Sequence, residues 1–91
     1  MTTDAIRSTA FELSRISRIL SKMETLSHRK MTPGRAREIM SLYDSLSSFD
    51  ATDRRLAGSI GVNLSQIVHE GCHQLQATID DAYDITRAAV A

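Results

Sequence analysis

The residues best suited to chemistry lie together at His69-Glu70-Gly71-Cys72-His73. On a helix, positions 69 and 73 stand one turn apart on one face, where two imidazoles can share a Zn²⁺ ion. Glu70, between them in sequence, has the type and position of a general base acting on metal-bound water. A hydrolytic centre of that kind needs a third protein ligand, and the downstream carboxylates are Asp80, Asp81 and Asp84. A structural metal site formed by His69, Cys72 and His73 is the other chemistry these side chains allow. Residues 74–91 offer little chain for the second wall of a cleft. The expectation is therefore a pair of surface histidines beside a solvated glutamate, with no catalytic residue and no cofactor.

Nothing else in the chain has the form of a reaction centre. There is no Gly-rich phosphate loop and no serine or cysteine beside an evident base. The single cysteine, Cys72, excludes an internal disulfide and reads as a small packing residue. Eleven basic side chains balance eleven acidic ones, so no net field draws in nucleic acid or anionic lipid. The distribution is uneven, however. Residues 1–30 hold Arg7, Arg15, Arg18, Lys22, Arg29 and Lys30 against Asp4, Glu12 and Glu24. Residues 56–91 hold Arg87 alone against Glu70, Asp80, Asp81 and Asp84. Such segregation suits head-to-tail complementarity between the first and last helices, within a chain or across a dimer. A basic docking face built from Arg7, Arg15, Arg18 and Lys22 is the functional alternative.

These side chains need helices to position them, and the apolar spacing supplies them. Ile6, Ala10, Leu13, Ile16, Leu20 and Met23, joined by Ile19 and Leu26, form one stripe at intervals of three and four. The spacing predicts a helix over about 4–28, capped by Thr3 or Asp4. Thr32-Pro33 is an N-cap followed by proline at the first helical position. Ala36, Ile39, Met40, Tyr43, Leu46 and Phe49 then repeat at helical spacing, predicting a second helix over about 33–48 and a connector over 47–52. Met23, Met31 and Met40 with Tyr43 and Phe49 fit either an ordinary core or an adaptable partner groove. Apolar or small residues at 56, 60, 64, 67, 71, 75, 78/79, 82, 85 and 89 fit a third helix over 52–89. That helix has one available break near 58–63, where Gly61 can adopt positive φ and Asn63 with Gln66 has capping-box spacing.

Two segments resemble known families. His69-Glu70-x-x-His73 with its apolar flanks Ile67, Val68 and Leu75 resembles the motif helix of zinc-dependent metallopeptidases, which implies His69 and His73 as ligands and Glu70 as base. Those enzymes hold substrate along a sheet edge, for which no strand pattern exists here. Residues 54–71, with Leu56-Ala57, Ile60-Gly61-Val62 and Ile67, resemble the helix-turn-helix of bacterial and phage transcriptional regulators. That likeness implies Ile67 facing inward, Ser65, Gln66 and His69 facing a major groove, and Arg54 and Arg55 near phosphate. It departs from the motif at Glu70, where a core apolar residue is usual, and at Leu64, where an exposed residue is usual. Ile60-Gly61-x-Asn63-Leu64-x-Gln66-Ile67 is also similar to a stretch of plasmid mobilisation accessory proteins.

The whole chain reads as a single all-α domain over 1–91, a three-helix bundle (four if Gly61 breaks the last helix). A long last helix would overhang the second, leaving Leu75, Ile79, Ala82 and Ile85 to be covered by a second subunit, so a homodimer is expected. No signal peptide and no apolar run of membrane-spanning length is present, which fits a cytoplasmic protein with no membrane contact. The function expected is a non-enzymatic interaction or regulatory module, of adaptor or inhibitor type, that docks a helix face on a partner protein. A DNA-binding regulator is second and a zinc hydrolase third.

Overall fold

In the computed structural model, which describes residues 2–47 and 51–90, five helices follow one another: α1 Thr2–Ser27, α2 Pro33–Leu46, α3 Ala51–Ser59, α4 Leu64–Gln74 and α5 Gln76–Val90. No strand occurs among the described residues. Phe49, expected on the apolar side of α2, lies outside them, as do the middle of the expected connector and the side chain of Ala89.

The first helix is a rod of about 39 Å at 1.5 Å per residue, and the described chain extends 49 × 24 × 17 Å around it. It begins at Thr2, so Thr3 and Asp4 stand inside its first turn rather than capping it. Asp4 there still places negative charge where the helix dipole favours it. The second helix starts where Thr32-Pro33 predicts. Thr32 is extended, and its hydroxyl accepts the Arg35 N–H at 3.2 Å. Arg15 reaches the Ser45 carbonyl near the end of α2, and Lys22 pairs with Glu38 nearer its middle. Hence α2 runs back along α1 in the opposite direction.

The expected long third helix is broken twice. At Gly61, φ is +82°, the left-handed region open to glycine. The Val62 N–H returns to the Ala57 carbonyl at 2.9 Å and the Gly61 N–H to the Gly58 carbonyl at 3.1 Å. These are the two bonds of a Schellman ending, which satisfies carbonyls that the helix itself leaves open. Asn63 then caps α4 by accepting the Gln66 N–H at 3.0 Å. The reciprocal half of the capping box is absent, because Gln66 Nε2 donates instead to Glu70 at 3.1 Å. The second break, at Leu75, has no glycine, proline or capping side chain to announce it. Leu75 donates to the Cys72 carbonyl, and its own carbonyl receives Ile79 as α5 begins.

Two helix pairs dominate the packing, α2 with α5 and α1 with α3, while α4 touches α1, α3 and α5. The core cluster holds Ile16 and Met23 from α1, Ala36, Ile39 and Leu46 from α2, Ala57, Leu64, Ile79 and Ala82. Complete burial of an Ile or Met side chain contributes about 1.5–3 kcal/mol, so this cluster is the main source of stability. Ile79 and Ala82 thus lie in the core of a single chain, with Leu75 and Ile85 packed against it. The exposed apolar strip that called for a second subunit does not exist, because α5, which starts after the break at Leu75, packs on α2. Met23 is fully buried and Met31 and Met40 pack on the core, so the methionines make core rather than a partner groove.

The apolar stripe of α1 is also displaced. Its C-terminal half buries Met23 as expected, but its N-terminal half buries Ala5, Thr9 and Glu12, leaving Ile6 and Ala10 exposed. The rotation follows α3, which approaches from that side: Ser8 Oγ donates to Asp53 Oδ1 at 3.1 Å. Glu12 tolerates its buried place because Arg15 caps it, Nη2 to Oε2 at 2.8 Å and Nε to the same oxygen at 3.3 Å.

Candidate functional site

His69, Glu70 and His73 all stand exposed on α4. Among the described residues no group of three His, Cys, Asp or Glu side chains is placed to hold a metal ion. Glu70 is engaged by Gln66. Gly71, in the middle of the motif, has a packing role: a Cβ there would lie 2.6 Å from Leu20 Cδ1 and 2.9 Å from Cδ2. Its bare backbone is what lets α4 approach α1. Cys72 lines a small cleft between α2 and α4 with Tyr43, Ser65, Val68 and His69, and burial pushes its thiol pKa above the ordinary value. A thiol in that state is a poor nucleophile at neutral pH.

The segment resembling a helix-turn-helix does form two helices joined by a glycine turn. Arg54, Arg55, Ser65, Gln66 and His69 are all exposed. The inward face of α4 differs from the one the resemblance implies. Leu64 is buried, whereas Ile67, expected inside, is 36% exposed. The outer face thus comprises Gln66, Ile67, His69, Glu70 and His73, with a carboxylate at its centre. Beside the turn, Arg54, Gly58 and residues 61–65 surround a shallow hollow of about 250 Å³ at the start of α4.

The basic face of α1 survives in part. Arg15 lies elsewhere than expected, because it is committed to Glu12 and to the Ser45 carbonyl. Lys22 stands 3.7 Å from Glu38, both side chains being largely exposed. Arg7 and Arg18 are exposed and form no ion pair among the described residues. Between them lies a residue that charge counting passed over. Phe11 is one turn after Arg7 and two turns before Arg18, on the same line down the helix, and it is 67% exposed. Ile6, 54% exposed, and Ala10 extend the apolar ground beside it. Leu13, Ser14, Ser17, Arg18 and Ser21 line a shallow groove further along.

Phe11 and Ile6 together leave an apolar patch in water on this charged face, and it is a patch rather than a single exposed ring that points to an interaction surface. The sequence signal for Phe11 was present: it falls outside the apolar stripe and in register with the arginines. A second such residue is Tyr83, 52% exposed on α5. It belongs to an outer surface shared with Asp80, Asp84 and Arg87, all exposed. No protein-family model, no curated protein and no solved structure matches this chain.

Proposed function

We propose that this chain is a non-enzymatic helical interaction module that docks the outer face of α1 on a partner protein. The observation that carries the reading is Phe11, a large apolar side chain held in water between Arg7 and Arg18. An aromatic anchor rimmed by arginines is the composition that protein interfaces favour, with the ring desolvated at the centre and the guanidiniums pairing at the rim. The partner surface this face fits is acidic, with an apolar hollow or ring at its middle. Supporting the same reading, the face needs no rearrangement to bind, because it is one side of a continuous helix whose other side is in the core.

The test is a photo-crosslinking benzoylphenylalanine placed at position 11 and, as control, at the exposed polar position 66. Protein adducts are expected from position 11 alone and should vanish when Arg7→Glu and Arg18→Glu are added. Equal adducts from both positions, or none, would sink the reading.

The turn at Gly61 favours a second reading, DNA binding through α4 with Arg54 and Arg55 near phosphate. Binding of that kind depends on phosphate neutralisation and weakens steeply with salt. Fluorescence anisotropy of a mixed-sequence duplex should then show a salt-dependent complex that Arg54→Ala with Arg55→Ala weakens. An affinity indifferent to both changes removes this alternative.

A further inference from the structure

We propose that the partner surface for the α1 face is the acidic face of α5 on a second copy of this chain. This rests on the docking role of α1 and adds the identity of what it docks on.

The chain is neutral overall, yet α1 carries a net positive charge and α5 a net negative one. Arg7, Arg18 and Lys22 project from α1 against Asp4 and Glu24 near its two ends, whereas Asp80, Asp81 and Asp84 project from α5, opposed there by Arg87 alone. A fold that satisfied this complementarity internally would pack α1 against α5. The main packing is otherwise: α1 packs chiefly with α2, α3 and α4, and α5 with α2 and α4. Each charged face is exposed, and no ion pair joins the two among the described residues, which leaves both open to a second molecule. Each face also carries its own exposed aromatic ring, Phe11 on α1 and Tyr83 on α5. Opposite charges beside matching apolar centres meet both requirements of a docking pair, steering by charge and anchoring by ring burial. Asp80 remains able to accept a guanidinium, since its contact is one hydrogen bond from Gln76 to Oδ1.

Because the two faces differ, the contact is head-to-tail, each copy giving its α1 face to the next copy's α5 face. That geometry supplies a discriminating experiment. One variant, Phe11→Ser with Arg18→Ser, loses the α1 face and keeps the α5 face. The other, Tyr83→Ser with Asp84→Ser, loses the α5 face and keeps the α1 face. All four residues are exposed, so both variants should retain wild-type helicity by circular dichroism. In sedimentation equilibrium at low salt the wild type should self-associate, and each variant alone should associate at least tenfold more weakly. An equimolar mixture of the two should recover a one-to-one dimer, since one intact face of each kind remains. Raising salt to about 0.5 M should weaken the wild-type association through screening.

A wild type that stays monomeric overturns the proposal. So does an association that the α5 variant leaves unchanged, or a mixture that recovers no dimer. In any of these cases, crosslinks from position 11 to a different protein would leave the docking role of α1 standing. No crosslink from position 11 at all would remove both.

Discussion

The two principal helix contacts of this protein are built from different materials. Where α2 meets α5, the buried residues are aliphatic: Ala36, Ile39 and Leu46 from one side, Ile79 and Ala82 from the other. Where α3 lies on the first half of α1, the helix gives it Ala5, Thr9 and Glu12, and among the described residues α3 contributes Ala57 to the core. A Ser8–Asp53 hydrogen bond and the Glu12–Arg15 pair hold that region, and Thr9 Oγ1 is buried without a partner. Hydrophobic burial scales with apolar area, whereas a buried polar group contributes little unless every atom is matched. The comparison teaches that α2–α5 carries the fold, and α1–α3 is the softer half. The proposed docking residues Arg7 and Phe11 lie on that softer half, on the side of α1 opposite α3.

Removing core volume should expose the difference most strongly. Ile39→Ala is expected to cost about 2–5 kcal/mol in urea unfolding, the range for a large aliphatic truncated in a closed core. Leu56→Ala, on half-buried α3, should cost less than half as much, and the backbone amides of α3 should exchange with deuterium before those of α2 and α5. Equal costs at the two sites would break the comparison.

The Glu12–Arg15 pair comes next. Arg15→Met leaves a buried carboxylate without its cation and should cost about 2–3 kcal/mol. Adding Glu12→Leu should return most of that loss, because the pair is replaceable by apolar volume. A double variant no more stable than the single one would mean that the pair contributes net stability to the soft half.

Two glycines of the α3–α4 region should respond with opposite sign. Gly61→Ala puts a Cβ on a left-handed residue and should cost about 1 kcal/mol or slightly more. Gly58→Ala, in a helix with nothing within 4 Å of the new methyl, should add about 0.5–1 kcal/mol. Loss at both positions would show that α3 is held by close backbone approach rather than by its own helicity. Thr9→Val should be neutral or stabilising by up to about 1 kcal/mol, since it removes an unmatched hydroxyl.

The smallest effect concerns alkaline pH. Burial raises the Cys72 thiol pKa in the folded state, so the unfolded chain loses its proton first as pH rises. The stability linked to Cys72 is therefore whole below the ordinary thiol pKa and declines above it, until the folded thiol also ionises. Cys72→Ala should flatten the alkaline limb of a stability–pH curve, and a curve unchanged by it would show the thiol to be solvated.

Much of this was legible in the residues. Thr32-Pro33 marked the start of α2, and Gly61-Val62-Asn63 carried both the end of α3 and the cap of α4, because capping is local chemistry between residues a few positions apart. The break at Leu75 was not legible, since no local preference distinguishes it from continuous helix. What makes it is the gain from laying α5 on α2, a contact between residues some forty positions apart. The burial of Glu12 was hidden for the same reason, as it depends on where α3 settles. Of the proposed docking face, the arginines were legible from charge spacing. Phe11 stood in register with them outside the apolar stripe, but its exposure required knowing which side of α1 was left in water.

Residue order by itself determined the helical character, the caps and the segregation of charge, all of which follow from periodicity and near-neighbour bonding. Only the tertiary structure decided that the available break at Gly61 is used and a second one added at Leu75, that Ile79 and Ala82 are core, and that the histidine pair lacks a third ligand among the described residues. It also decided that the charged faces of α1 and α5 stay exposed, with no ion pair between them among the described residues. Those outcomes depend on which of several apolar surfaces pair, and that choice is made by total buried area over the whole chain rather than by any one segment.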